Sequence, residues 1–156
     1  MNNWRENRIE SAVDGSNPTV LARLKSGFAV IADTQFLPGY CVLLAYPKVS
    51  SLNEMEMADR LNFLADMTAI GDAIIKVYQP LRLNYEILCN RDTYLHAHIF
   101  PRYSWEDERI LQGPVWQYPA KNWQDPIPAH QFDHPNHWEN IEALKKELAK
   151  YNKEQI

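Results

Sequence analysis

Between residues 94 and 100 the chain alternates: Leu95, Ala97 and Ile99 are apolar, while Tyr94, His96 and His98 between them carry polar groups. A period of two belongs to a strand, whose successive side chains point to opposite faces. The pattern predicts one face packed on a core and another carrying two imidazoles side by side, about 6 to 7 Å apart at Cα for a rise of roughly 3.3 Å per residue. A strand over 81–89 is predicted before it, with Asn90-Arg91-Asp92-Thr93 as the turn. Upstream, 28–33 and 40–46 are runs rich in β-branched and aromatic residues, joined by a stretch containing Pro38-Gly39. They predict an antiparallel pair with Asp33 at the end of its first strand.

Helical periodicity is clearest where Phe63, Met67, Ile70, Ile74 and Val77 recur at steps of four and three. Ser51 and Glu54 have the spacing of a capping box, which starts this helix near Ser51 and carries it to Gln79-Pro80. Its stripe is the expected cover for the buried face of the sheet. Gly71 inside it costs about 1 kcal/mol relative to alanine and predicts a close backbone approach or a bend. Asn17-Pro18, followed by Thr19 to Lys25 and then Ser26-Gly27, reads as a short capped helix. Residues 4–13 read as a further turn or two, stopped at Asp14-Gly15. A last amphipathic helix over about 136–151 shares a stripe of Ile141, Leu144, Leu148 and Tyr151. Between them, 101–135 is dense in proline and tryptophan with little periodicity. It predicts an ordered loop wrapped on the body, since exposed tryptophans are costly.

Composition narrows the class. The 156 residues are 46% hydrophobic and 23% charged, the balance of a globular chain able to bury its own core without staples. A single domain over 1–156 is expected. No apolar run approaches the roughly 18 to 20 residues that span a bilayer, and the first residues lack the apolar stretch of a signal peptide. The expectation is a cytoplasmic protein with no membrane partner. The net charge of −4 is dispersed and no basic cluster stands out, which argues against long nucleic acid as a partner but not against a single nucleotide. Cys41 and Cys89 each sit in apolar surroundings without a neighbouring cysteine, and buried reduced thiols are expected.

Three chemistries fit a His-x-His strand. Its imidazoles are structural, hydrogen-bonded to neighbours; or they hold a metal, for which zinc would need further ligands from His130, His134 or His137; or one is a nucleophile. A neutral imidazole is competent for attack near pH 7 and must be held in one tautomer by a partner on its other ring nitrogen.

The surrounding residues favour the third chemistry. Asn84-Tyr85-Glu86-Ile87-Leu88-Cys89-Asn90, followed by Tyr94-Leu95-His96-Ala97-His98-Ile99-Phe100-Pro101-Arg102, resembles the signature of the histidine triad (HIT) superfamily, in which three histidines alternate with apolar residues before Pro-Arg. Ala32-Asp33 before Pro38-Gly39-Tyr40 is similar to the family's ribose-binding strand pair. Gly113-Pro114-Val115-Trp116 is similar to a segment of bacterial members. The resemblance covers about residues 28–118 and departs from the family at its first triad position, where Tyr94 stands in place of histidine.

The resemblance implies an α+β fold, an antiparallel sheet of about five strands with the long helix across it, and a homodimer formed by joining sheets. It implies His96 as nucleophile at the α-phosphorus of a nucleotide derivative, such as a dinucleoside polyphosphate or a nucleoside phosphoramidate. The other ring nitrogen of His96 would be held by the backbone carbonyl of His98, and the His98 side chain would stabilise the phosphate oxygens as imidazolium or N–H donor. Asp33 would contact the ribose, Asn90 the phosphate, and Tyr94 the phosphate or leaving group. No metal or other cofactor is required by such a covalent route. A nucleotide-binding module without catalysis is the alternative. Asn84 is a weaker contact candidate, and Arg102 reads better as a structural ion pair than as a phosphate ligand.

Overall fold

The computed structural model describes residues 3–155; Met1, Asn2 and Ile156 fall outside it, and with them part of the stretch read for a leader. Five strands, β1 (Val20–Arg23), β2 (Gly27–Ile31), β3 (Cys41–Ala45), β4 (Arg82–Glu86) and β5 (His96–Arg102), form one antiparallel sheet in the order β1-β2-β3-β5-β4. This is the expected α+β architecture, and its register explains the two faces. Cys41 pairs with Ile99 and Leu43 with Ala97, so these side chains share one face with Ala29 and Ile31. The long helix α2 (Met57–Tyr78) and the C-terminal helix α5 (Trp138–Glu154) cover that face. Phe63, Ile70, Ile74, Leu144 and Leu148 are buried in the same cluster.

Val42 pairs with His98 and Leu44 with His96, which puts these four on the opposite face. That face is covered from two sides. Helix α1 (Arg8–Asp14) lays Ile9 and Ala12 on Phe28, Val30 and Leu44. From the other side, Phe36, Leu37, Tyr40, Phe100 and Val115 form a second cluster, joined by Tyr118 and Trp123. His96 and His98 of β5 border a cavity lined by residues of both clusters.

Residues 19–25 form no helix. Asn17 does act as a cap-like residue, its side-chain carbonyl accepting from the Thr19 N–H at 2.9 Å, but the turn leads into edge strand β1, which pairs with β2 and buries Leu21. So short a segment cannot form a helix of independent stability, and the sheet edge and the core decide its state. Ser51 and Glu54 do not start α2 either. Ser51 precedes and Glu54 ends a single 3-10 turn, Leu52–Glu54; the Glu54 carboxylate accepts from the Ser50 N–H at 3.0 Å, and the helix begins at Met57.

Gly71 is a close approach, as expected. A Cβ there would lie 2.1 Å from the Tyr85 hydroxyl oxygen of β4. Asp66 of α2 accepts from the Ser26 N–H (2.8 Å), the Ser26 hydroxyl (2.6 Å) and the Tyr151 hydroxyl (2.7 Å). One buried carboxylate thereby ties the β1–β2 hairpin and α5 to α2.

The segment after β5 is ordered through short helical pieces, including α3 (Glu108–Leu111) and α4 (Ala120–Trp123). It is pinned by Arg102, whose guanidinium donates to Glu106, to Asn84 Oδ1 (2.8 Å) and to the carbonyls of Gly113 (2.8 Å) and Ile110 (3.0 Å). Asn84 and Arg102 are structural here. The segment's tryptophans are less covered than expected: Trp105 stacks on Tyr103 yet remains exposed, and Trp116 is 43% exposed. Both cysteines are free, Cys41 buried and Cys89 half-buried.

Candidate active site

Strand β5 begins at His96, two residues later than the alternation predicted. The link from β4 is longer than a four-residue turn because Cys89 adopts a left-handed backbone (φ 52°) and the chain then bonds elsewhere. The Leu95 N–H donates to the Val49 carbonyl at 2.7 Å, and the His96 N–H meets Cys89 Sγ at 3.5 Å. Tyr94 therefore precedes the strand rather than lying in it, although its side chain still lines the same cavity as both histidines.

That short offset changes how His96 is held. Its Nδ1 lies 2.8 Å from the backbone carbonyl oxygen of Tyr94, not of His98 as the resemblance implied. A carbonyl oxygen only accepts, so Nδ1 carries the proton, and in the neutral ring Nε2 keeps its lone pair. Nε2 has no hydrogen-bond partner among the described residues. The residue is 8% exposed, so the ring is held by its surroundings without being sealed from the cavities.

The His98 ring stands 5.0 Å from that of His96, edge to face, and stacks on Phe100 at 5.4 Å. Its Nδ1 lies 2.6 Å from the Tyr40 hydroxyl. Burial, and secondarily the neighbouring His96, lower the His98 pKa to about 4, with Asp92 opposing. Burial thus disfavours the imidazolium form in the empty site, and the neutral ring offers an N–H donor.

Two cavities meet at the histidine pair. The first, about 290 Å³, is lined by apolar Val30, Val42 and Leu44 together with Asp33, Arg8 and Tyr94. The second, about 450 Å³, is lined by Leu88, Asn90, Trp116, Ala120 and Trp123. His96, His98, Arg91, Asp92 and Trp123 border both. Asp33 thus lines the first cavity and Asn90 the second.

Asp33 is already engaged. Its two carboxylate oxygens accept from Arg8 at 3.0 and 2.8 Å, and Arg5 adds a third bond at 3.3 Å. Burial works against the Arg8 charge, but its bonds and attraction to Asp33 outweigh it and raise the guanidinium pKa. An ionised carboxylate offers about four lone-pair sites, so acceptor capacity remains for a sugar hydroxyl.

Arg8, Tyr40, Arg91, Asp92, Trp116 and Trp123 were not singled out for the site by sequence reasoning. Tyr40 had a usable signal: it precedes β3 on the parity of Val42 and Leu44, the face that carries the histidines. The two arginines, Asp92 and the tryptophans come from segments with no local periodicity pointing to the site.

The remaining histidines lie apart from the strand pair, each with its own partner. His130 pairs with Asp125, His134 Nδ1 meets Asn136 Oδ1 at 2.5 Å, and His137 Nε2 donates to the Ala129 carbonyl at 2.7 Å. Among the described residues no three His, Cys, Asp or Glu side chains are grouped to share an ion. No helix there is long and apolar enough to cross a membrane.

No protein-family model matches this chain, and no curated protein sequence does. Solved structures do match. A histidine triad protein from Sinorhizobium meliloti superposes with a TM-score of 0.69 at 14% identity, over 94% of this chain and 96% of that one. One from Sulfolobus tokodaii, described as a hypothetical histidine triad nucleotide-binding protein, gives 0.67 at 10% identity over 95% of each chain. One from Bradyrhizobium japonicum gives 0.66 at 16% identity over 82% and 88%. At these identities what is shared is the fold.

Proposed function

We propose that this chain, which has the histidine triad fold, is a nucleotide hydrolase or transferase of that superfamily, acting at the α-phosphate of a nucleotide derivative through a nucleotidyl-histidine intermediate. The observation that carries the reading is the state of His96. Its Nδ1–H is committed to the Tyr94 carbonyl, and its Nε2 lone pair is left free beside two cavities.

In this mechanism His96 Nε2 attacks phosphorus and the bond to the leaving group breaks, its electron pair departing with the leaving atom, which takes a proton from solvent. The imidazole of the adduct is cationic, and its Nδ1–H bond to Tyr94 strengthens as charge develops. Water then attacks phosphorus, the P–N bond to His96 breaks, and the water proton is released. The net change is hydrolysis, and a second acceptor in place of water makes it a transfer. His98, neutral and bonded to Tyr40, donates to a non-bridging oxygen. The nucleoside occupies the first cavity, its base on Val30, Val42 and Leu44 and its sugar hydroxyls toward Asp33, while Asn90 meets the phosphate and Tyr94 stands at the rim. The covalent route needs no cofactor. Either a dinucleoside polyphosphate or a nucleoside phosphoramidate fits this scheme.

The same reading makes the protein a cytoplasmic homodimer joined through sheets. Strand β4 lies at the edge of the sheet in the single chain, with Tyr85 exposed on it and Leu81 exposed just before it.

The test is intact-protein mass spectrometry after rapid mixing with substrate. Wild type should gain an acid-labile mass of one nucleotide and His96→Ala should not. Equal turnover by both proteins overturns the assignment of His96. Nucleotide binding without adduct or turnover in wild type supports the non-catalytic alternative.

A further inference from the structure

Arg5 stands three residues before Arg8, the first residue of α1, and both guanidiniums reach Asp33. The fold holds them there. Ile9 and Ala12 are buried in one cluster with Phe28, Val30 and Leu44, and the Arg8 carbonyl accepts from the Asn17 side-chain amide at 3.0 Å. Both guanidiniums lie over the Trp4 ring, Arg5 at 4.2 Å and Arg8 at 5.3 Å from its centre, and Trp4 meets Phe132 edge-on at 5.9 Å. Arg8 and Asp33 also line the first cavity, where the proposed chemistry seats the nucleoside.

These bonds fill Asp33 unevenly. Arg8 forms a fork, one N–H to Oδ1 at 3.0 Å and one to Oδ2 at 2.8 Å, and so occupies the edge between the two oxygens. Arg5 Nε takes a second position on Oδ2 at 3.3 Å. A carboxylate has about four lone-pair positions, two on each oxygen. Both on Oδ2 are used and one on Oδ1, which leaves a single position on the outer side of Oδ1. Neighbouring hydroxyls of a cis-diol meet one carboxylate together only through the edge that Arg8 covers, because the outer positions of the two oxygens point apart. Thr34 beside Asp33 adds no exposed acceptor, since its hydroxyl oxygen is buried. Asp92, the other carboxylate of this cavity, lies where the two cavities meet, toward the phosphate.

We propose that Arg8, with Arg5, sets the sugar specificity of this site: it restricts Asp33 to a single pentose hydroxyl, so that a nucleotide lacking the other hydroxyl is bound as well as the ribonucleotide. This rests on the nucleoside lying in the first cavity with its sugar toward Asp33. Arg8 takes no part in bond making at phosphorus. It fixes the plane of the carboxylate and decides which acceptor position faces the sugar. A lysine in its place would keep the charge but not the fork.

In the experiment, calorimetry ranks AMP, GMP, CMP and UMP on wild type. The tightest is then compared with its 2′-deoxy, 3′-deoxy and 2′,3′-dideoxy forms on wild type, Asp33→Ala, Arg8→Met and Arg8→Lys. The lysine variant keeps the stem and the charge and guards against a folding failure of Arg8→Met. In wild type one monodeoxy form should bind within about threefold of the ribonucleotide. The other monodeoxy form and the dideoxy form should bind at least about tenfold more weakly, the loss of one hydrogen bond to a charged group, and Asp33→Ala should level all four. In Arg8→Met and Arg8→Lys the edge of Asp33 is open, and each monodeoxy form should lose at least about threefold. If wild type loses affinity with each hydroxyl removed, or with neither, the sugar assignment is overturned while the nucleotide reading stands. It is equally overturned if both Arg8 variants keep the wild-type pattern. The expected pattern without a His96 adduct in the mass-spectrometric test keeps the sugar assignment and makes the protein a binding module. If none of the four nucleotides binds, both fall.

Discussion

Arg102 and Glu106 form an ion pair at 3.1 Å whose side chains are 1% and 0% exposed, and the consequence of breaking it is large and specific. Arg102→Met keeps the aliphatic stem but removes the guanidinium. Glu106 would keep its neutral donors, the Tyr103 N–H and the Tyr118 hydroxyl, both at 2.6 Å, yet lose its countercharge, and Asn84 and two backbone carbonyls would lose a donor. Removing one partner of a buried pair costs about 3–5 kcal/mol, because the other charge stays in a low-dielectric site. For a chain of this length each kcal/mol lowers the melting midpoint by about 2–4 °C, so the single variant should melt about 6–20 °C lower. Arg102→Met/Glu106→Gln removes the stranded charge and keeps an acceptor for Tyr103 and Tyr118. It should recover about 1–3 kcal/mol relative to the sum of the single changes. The assay is urea unfolding of the four proteins at pH 7, followed by far-ultraviolet circular dichroism and tryptophan fluorescence. A loss below about 1 kcal/mol in Arg102→Met, or strict additivity in the double variant, would refute the claim that this charge pair pins residues 103–118 to the sheet.

Three further outcomes follow from the geometry. His98 titrates at about 4 in the fold against an ordinary 6.5, so the unfolded chain takes up its proton first. The stability this contributes is present above about pH 6.5 and is lost as pH falls toward 4, by on the order of 3 kcal/mol. The urea midpoint should therefore drop more steeply over that window in wild type than in His98→Asn, and parallel slopes would contradict the burial argument. Gly71→Ala gains helix propensity of about 1 kcal/mol but sets a methyl 2.1 Å from the Tyr85 hydroxyl. A net loss of about 1–3 kcal/mol is expected from overpacking, partly relieved in Tyr85→Phe, and thermal melts that show stabilisation would rule the clash out. Asp33→Ala should weaken a ribonucleotide by about 1.5–3 kcal/mol, the range for hydrogen bonds to a charged group, and a 2′,3′-dideoxy analogue by less. Equal losses by calorimetry would mean that Asp33 serves only to hold Arg5 and Arg8.

The alternation over 94–100 and the stripe from Phe63 to Ile74 were legible without coordinates, because a repeat of two or of about 3.6 residues is a local property and hydrophobic burial acts on it wherever the segment docks. The same logic put His96 and His98 on the face away from the core and marked Gly71 as a close approach. Where local signals were short or ambiguous, the tertiary structure decided. Asn17-Pro18 serves a helix start and a turn equally well, and pairing with β2 made the next residues a strand. The backbone carbonyl that holds His96 depends on a strand starting at His96 rather than Tyr94, which was fixed by bonds to Val49 and Cys89. The ion pair of Asp33 with Arg8 joins residues 25 apart in sequence, and the tryptophan wall joins segments that share no period. Such contacts arise from chain topology and side-chain reach, and no window along the sequence contains both partners.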